Sequence, residues 1–308
     1  MLIDVSTREP TETSRMSTLR DLLTRPFRRP RRSTFGASTS LESRSAAAKQ
    51  TTLLILNQRR TYEYYGGQAP SSDSIPVVMC LWNRRENLET SLRLLNAQAV
   101  SRPVRLVLWC NQPADADFYR KALSGFTFDG SLATAELHVS ADNIRGIARF
   151  VAIRDIRKDG YRGPVITIDD DQEPGPNFIT SLLETYTPKS LVGCWAWNSE
   201  VHDYGSRRQP AIGGSATYTG TGAAAFDSDL VDDPAFFKDI PETGIFIEDM
   251  WMTRLALHRG WRTERGDVDV AVRDDDRNQY SELIGLKMRF WSELQAVFPI
   301  EEPGWAAK

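Results

Sequence analysis

The sequence has little with which to cross-link itself or hold a soft metal: three cysteines and three histidines in 308 residues. Cys80, Cys110 and Cys194 are far apart, fit no zinc or redox spacing and sit among apolar neighbours, which predicts inert core thiols in a reducing compartment. His138, His202 and His258 form no metal-ligand spacing either. No apolar stretch approaches the ~20 residues of a membrane-spanning helix, and "TTLLILN" (51–57) is too short for the core of a signal peptide. Internal repeats are absent. So is any excess of positive charge: the formal net charge is −3 and the pI about 5.8, which excludes bulk attraction to nucleic acid. These absences leave a cytoplasmic globular protein as the expectation.

The charge is unevenly spread. Residues 1–75 carry 12 Lys/Arg against 7 Asp/Glu, so the tail is basic and the remainder carries a net −8. Residues 1–74 are rich in Ser, Thr, Arg and Pro, and "RPFRRPRRSTFGASTSLESRSAAA" (25–48) has no period of 2 or 3.6. That composition predicts a largely disordered tail. It reads as a solvated tether, or as a segment drawn to anionic lipid headgroups that gives peripheral attachment at the inner face of a membrane.

From residue 75 the pattern alternates. "IPVVMCLW" (75–82), "VRLVLWC" (104–110), "AELHVS" (135–140), "PVITIDD" from 164 and "LVGCWAWN" (191–198) are short apolar runs of the kind buried in parallel sheets. Helical segments separate them at 84–98, near 116–123 and at 142–160, the first with Leu88, Leu92 and Leu95 on one stripe. This predicts one α/β domain over 75–300, with three layers around a mostly parallel sheet. In such folds ligands gather beyond the carboxyl ends of the strands.

Three carboxylates, Asp169, Asp170 and Asp171, stand at one such end. Two unit charges ~5 Å apart repel by roughly 3 kcal/mol at a partly buried site, so the cluster needs solvent, a cation or a raised pKa. Hard divalent ions take oxygen ligands and are commonly held by one or two carboxylates together with substrate phosphates. Alternation along an extended chain lets Asp169 and Asp171 face the same way. An acidic run is often only a solvated loop, and that is the preferred reading of the second run, "RDDDRNQY" (273–280).

Four segments in order, "VVMCLWNRRENLETSLRLLNAQ", "DNIRGIAR", "IDDD" and "EDMWMTRLALHRGW", resemble GT-A glycosyltransferases of the inverting, family 2-like kind over about residues 75–262. The resemblance implies a Rossmann-like GT-A fold and a metal-dependent transfer of one sugar from a nucleoside-diphosphate sugar, a UDP-sugar favoured, to a glycan or lipid-linked acceptor. Glycan or cell-surface polysaccharide assembly is the implied setting. Asp171, with Asp169, would hold Mn²⁺ or Mg²⁺, and Asp169 and Asp170 would meet the ribose or metal waters. Asn83, Arg84, Asn143, Arg145, Gly146 and Arg149 would line the nucleotide pocket. Asp249 would be the catalytic base with Glu248 beside it. Gly220, Gly222 and Trp251 would meet the acceptor.

Other readings stand beside these. An acid in the first turn of a helix is often a cap or a partner of the helix dipole, and the Gly-rich 213–222 segment reads equally as a flexible turn. A nucleotidyltransferase acting on sugar phosphates is the nearest enzymatic alternative, although "CLWNRREN" lacks the glycine-rich loop of that class. A phosphatase with an aspartyl nucleophile is disfavoured by Glu173. A carbohydrate-binding protein of the same fold without turnover is the third.

Overall fold

The computed structural model describes residues 36–67, 71–273 and 280–301. The chain divides into Met1–Leu41, described only over 36–41, and Glu42–Lys308. As far as residue 35, the expected disordered tail lies outside the described residues. Beyond it that expectation gives way to a helix, α1 (Gly36–Ile55), and a strand, β1 (Glu63–Gly66). Contacts distant in sequence hold this segment. The Arg60 guanidinium pairs with Asp155 and donates to the Ile55 carbonyl, and Lys158 donates to the Leu56 carbonyl at 3.0 Å.

The predicted alternation follows. It runs β2 (Ile75–Leu81), α2 (Leu88–Asn96), β3 (Val104–Cys110), α3 (Ala116–Ser124), β4 (Leu132–Val139), α4 (Ala148–Lys158) and β5 (Pro164–Asp169). Next come β6 (Gln172–Pro174), α5 (Phe178–Thr185), β7 (Ser190–Gly193), β8 (Ala196–Glu200), β9 (Asp203–Arg208), β10 (Tyr218–Thr219) and β11 (Ala224–Asp227). The chain ends with α6 (Pro234–Lys238), α7 (Glu248–His258), β12 (Arg262–Arg265), β13 (Val270–Val272) and α8 (Tyr280–Val297).

The main sheet has the order β1-β4-β3-β2-β5-β11-β7-β12. β2, β3, β4 and β5 are mutually parallel, β7 and β12 run with them, and only β1 and β11 oppose. Every residue of β3 is buried, as a sheet covered on both faces requires. One face meets α2, α3 and α5 through Val77, Met79, Leu81, Leu92, Leu123 and Leu182. On the other face Phe150 of α4 packs against Phe226 and Phe236, with ring centroids 5.9 and 4.7 Å apart. The result is the expected three-layer α/β domain.

Two departures matter for function. The run 191–198, read as one strand, is two: β7 stays in the main sheet, whereas β8 leaves it to pair with β9 and β10 in a three-stranded sheet. A side chain at Gly193 would lie 2.4 Å from a Thr219 methyl group, so the crossing depends on a residue without one. The polar, Gly-rich stretch before residue 227 supplies β11, a central strand wedged antiparallel between β5 and β7. Its residues Ala224 and Ala225 gave no strand-like apolar run, yet both are fully buried.

Candidate active site

β2 leads to β3 on one side, and β5 lies on its other side, so strand order reverses between β2 and β5. A crevice beyond the carboxyl ends opens at such a switch point. Asp169 closes β5 there, opposite Cys80 of β2.

The three aspartates divide the work. Asp170 turns inward: its carboxylate accepts the Trp82 backbone N–H at 2.9 Å and Arg84 Nη1 at 3.2 Å, and its carbonyl accepts Asn87 Nδ2 at 2.9 Å. Burial pushes this carboxyl up to about 7, against the pull of the Trp82 N–H and Arg84. Asp170 is therefore a brace between β5 and the β2 loop. Asp171 and Asp169 are more open, with 17% and 37% of their side chains exposed, and each meets an arginine: Arg84 Nη2 at 3.4 Å and Arg149 Nη2 at 2.8 Å, respectively. Among the described residues no three carboxylate, imidazole or thiol groups cluster to enclose a cation. Two partly open carboxylates fit a hard ion that takes its remaining oxygens from water and phosphate.

Arg149 joins this cluster to the second acidic motif. Its buried guanidinium also lies 3.5 Å from Glu248 Oε1 at the head of α7 and donates to the carbonyls of Gly146 (3.1 Å) and Thr221 (3.4 Å). Burial opposes its charge, but Asp169 and Glu248 outweigh that and hold it firmly protonated. Burial pushes Glu248 up to about 7; Arg149 acts against the rise and Asp249 adds to it. A side chain on Gly146 would fall 1.9 Å from the Glu248 carboxylate, so glycine at 146 is what lets these loops meet.

Asp249 faces a different set. Its Oδ1 accepts the Met250 N–H at 2.8 Å, Oδ2 accepts the Tyr218 hydroxyl, and Lys287 Nζ stands 3.8 Å from Oδ2. Burial, then the Asp249 charge, holds the Tyr218 hydroxyl well above its ordinary range, so it stays a donor.

The remaining predicted residues are distributed unequally. Asn83 and Arg145 adopt positive φ (59° and 64°), and so does Ala223 (57°), three strained positions around the same crevice. The Arg145 guanidinium lies over Trp82 at 4.8 Å and Phe246 at 5.2 Å, and the Arg145 backbone N–H donates to Asn143 Oδ1 at 2.9 Å. Gly222 lies against the aspartates: a side chain there would be 2.7 Å from Asp169 Oδ2 and 2.5 Å from Gln172 Nε2. Gly220 instead bonds to the Trp195 carbonyl. Trp251 is not at an acceptor surface. Its ring is buried against Phe298 and its Nε1 donates to the Phe236 carbonyl at 2.8 Å, because helical spacing turns it away from Asp249 into the core. Cys80 and Cys110 are raised by burial to about 12 and about 11, in keeping with inert thiols.

Several site residues gave no sign in the sequence. Gln172 Oε1 accepts the Asp169 N–H at 3.0 Å, and Arg273 ties the turn down by donating its N–H to the Asp171 carbonyl (2.8 Å) and Nη1 to Asn87 Oδ1 (2.6 Å). Tyr218 and Lys287 reach Asp249 from β10 and α8. Asn87, four residues after Asn83 at a helix start, was the only one of these with a local cue. Asp274–Asp276 of the second acidic run lie outside the described residues.

No protein-family model matches the chain, and no curated protein matches its sequence. Among solved structures it is similar to the mannosyltransferase PcManGT of Pyrobaculum calidifontis, in complex with GDP-Man and Mn²⁺: 13% identity over 86% of this chain and 76% of that one, TM-score 0.51. It is also similar to residues 1–349 of S. aureus TarS, at 15% identity over 74% and 67% of the two chains, TM-score 0.42. At 13% identity the likeness to PcManGT is one of fold. The chain is a mixed α/β protein built on a large, mostly parallel sheet, consistent with a Rossmann-like GT-A fold.

Proposed function

We propose that this chain is a metal-dependent inverting glycosyltransferase that moves one sugar from a nucleoside-diphosphate sugar to an acceptor hydroxyl, in glycan or cell-surface polysaccharide assembly. The observation that carries this reading is the Asp169–Arg149–Glu248 bridge, which sets the strand-end carboxylates and the head of the Asp249 helix on one guanidinium.

Asp171 and Asp169 are the residues that would hold Mn²⁺ or Mg²⁺. The ion, when bound, offsets the negative charge of the departing diphosphate. Arg84 and Arg149, paired with Asp171 and Asp169, would stabilise the same charge through fixed donors. Asn83, Asn143, Arg145 and Gly146 would line the nucleotide side of the crevice, Asn83 and Arg145 with positive φ. Asp249 takes the proton of the attacking hydroxyl, a contribution of about 10²- to 10⁴-fold. A carboxylate offers about four acceptor positions. Met250 meets Oδ1 of Asp249, and Tyr218 and Lys287 meet Oδ2, which leaves the carboxylate capacity for a substrate hydroxyl. Attack from the Asp249 side, with departure on the metal side, inverts the anomeric carbon.

The resemblance favours a uridine donor, whereas the mannosyltransferase of like fold carries GDP-Man, so the test uses both bases. UDP and GDP are titrated by calorimetry with Mn²⁺ and with EDTA, followed by turnover of a panel of sugar nucleotides. One nucleotide should bind only with the metal, and Asp171→Ala should abolish that binding. Asp249→Asn should bind normally and lose turnover by about 100-fold or more. Binding that is indifferent to EDTA, or equal loss of binding and turnover in Asp249→Asn, would sink the reading.

A further inference from the structure

The helix α8 lies beyond the stretch of about 75–262 that resembles a transferase, yet it reaches Asp249, the carboxylate proposed as the base. Its anchors straddle that residue in the chain. Before it, Gly244 receives Phe290, which is fully buried: a side chain at Gly244 would fall 2.5 Å from the ring. Glu293 Oε2 accepts the Thr243 hydroxyl at 2.6 Å. After it, Arg254 lies 4.5 Å over the Trp291 ring and donates Nη1 to Gln295 Oε1 at 2.9 Å and to the Phe298 carbonyl at 2.7 Å. Trp291 Nε1 donates to the Glu200 carbonyl at 3.0 Å, which fastens α8 to the small sheet as well.

Lys287 precedes Phe290 by three residues and so shares that anchored side of α8. Its Nζ stands 3.8 Å from Asp249 Oδ2 and 6.0 Å over the Tyr218 ring. Tyr218 donates to the same oxygen from β10, and β10 is itself tied to α7: the Thr219 N–H donates to Thr253 Oγ1 at 3.1 Å. Lys287 and Tyr218 are buried, with 9% and 4% exposed, whereas Asp249 is half-buried. The two donors therefore act on the carboxylate and not on substrate. Held only through Oδ1, by the Met250 N–H, the carboxylate could still swing its other oxygen. Two donors on Oδ2, from separately anchored elements, remove that freedom.

We propose that Lys287 and Tyr218 are positioning residues for Asp249: together they fix Oδ2 and thereby aim the remaining acceptor positions of the carboxylate at the attacking hydroxyl. The helix α8 is then part of the catalytic site although neither donor touches substrate. This deepens the transferase reading and rests on it. Misplacing a reacting group by about 1 Å can cost about 100-fold in rate.

The test is steady-state turnover of sugar nucleotide by the full chain, with Mn²⁺-dependent nucleotide affinity measured by calorimetry on the same samples. Lys287→Met and Tyr218→Phe should each lower kcat by about tenfold or more, with donor KM and nucleotide affinity within about twofold of wild type. The preserved affinity also reports that they are folded. Lys287→Arg, which keeps the cation, should retain most of kcat. Both changes act through one oxygen, so the double variant should lose clearly less than the product of the single losses. In an Asp249→Asn background, Lys287→Met should leave the residual turnover within about twofold, which a merely structural lysine would not do. Unchanged kcat in both single variants, or losses that multiply and persist without the Asp249 carboxylate, overturns the proposal. So does a loss of nucleotide affinity equal to the loss of kcat. In each of these cases wild-type turnover leaves the transferase reading standing; a wild-type chain that turns over no sugar nucleotide overturns that reading, and the positioning role with it.

Discussion

Replacing Arg149 with methionine preserves much of the side chain's bulk and removes its charge and hydrogen bonds. The native guanidinium is buried between Asp169 at 2.8 Å and Glu248 at 3.5 Å. Glu248 is 5% exposed, and removing one partner of a buried pair costs about 3–5 kcal/mol. Asp169, more than a third exposed, is resolvated and adds little. At about 2–4 °C per kcal/mol for a domain of this size, the melting temperature should fall by about 6–20 °C. The pH dependence has a definite sign. Burial already raises Glu248 to about 7, above its ordinary carboxylate range, and loss of the cation raises it further. A carboxyl raised on folding is harmless while protonated and penalises the folded state as pH rises from the unfolded value through the folded one. Circular-dichroism melts should therefore show a larger loss at about pH 8 than at about pH 5. The double variant Arg149→Met/Glu248→Gln should recover much of the loss, since no buried charge is left unpaired. A drop of less than about 2 °C, well under the 3 kcal/mol floor, or an equal drop at both pH values, would refute the bridge as a buried ion pair.

The Gly222→Ala change puts a methyl group 2.5 Å from Gln172 Nε2 and 2.7 Å from Asp169 Oδ2, so both must move; metal-dependent nucleotide affinity should fall by about tenfold, or about 1.4 kcal/mol, by calorimetry. An unchanged affinity would detach Gly222 from the site. Trp251→Phe removes the bond to the Phe236 carbonyl and should cost about 1–3 kcal/mol by urea denaturation, with the acceptor KM unchanged. A raised KM at unchanged stability would return Trp251 to the acceptor side.

The sequence by itself determined the layered α/β core and the location of its acids. Apolar runs such as those of β2, β3 and β5 are buried on both faces, so each residue reports its own environment, and the aspartates that follow β5 are adjacent to it in the chain. A motif whose parts are neighbours in sequence needs only local geometry to be recognised. Tertiary structure alone decided what those acids touch. Arg149 reaches Asp169 and Glu248 across 20 and 99 positions, Tyr218 and Lys287 reach Asp249 across 31 and 38, and Arg273 reaches Asn87 across 186. No helical or strand period links residues so far apart. The insertion of β11, the division of 191–198 between two sheets and the anchoring of β1 have the same origin: ladder bonds and ion pairs between distant segments outweigh what each segment prefers alone.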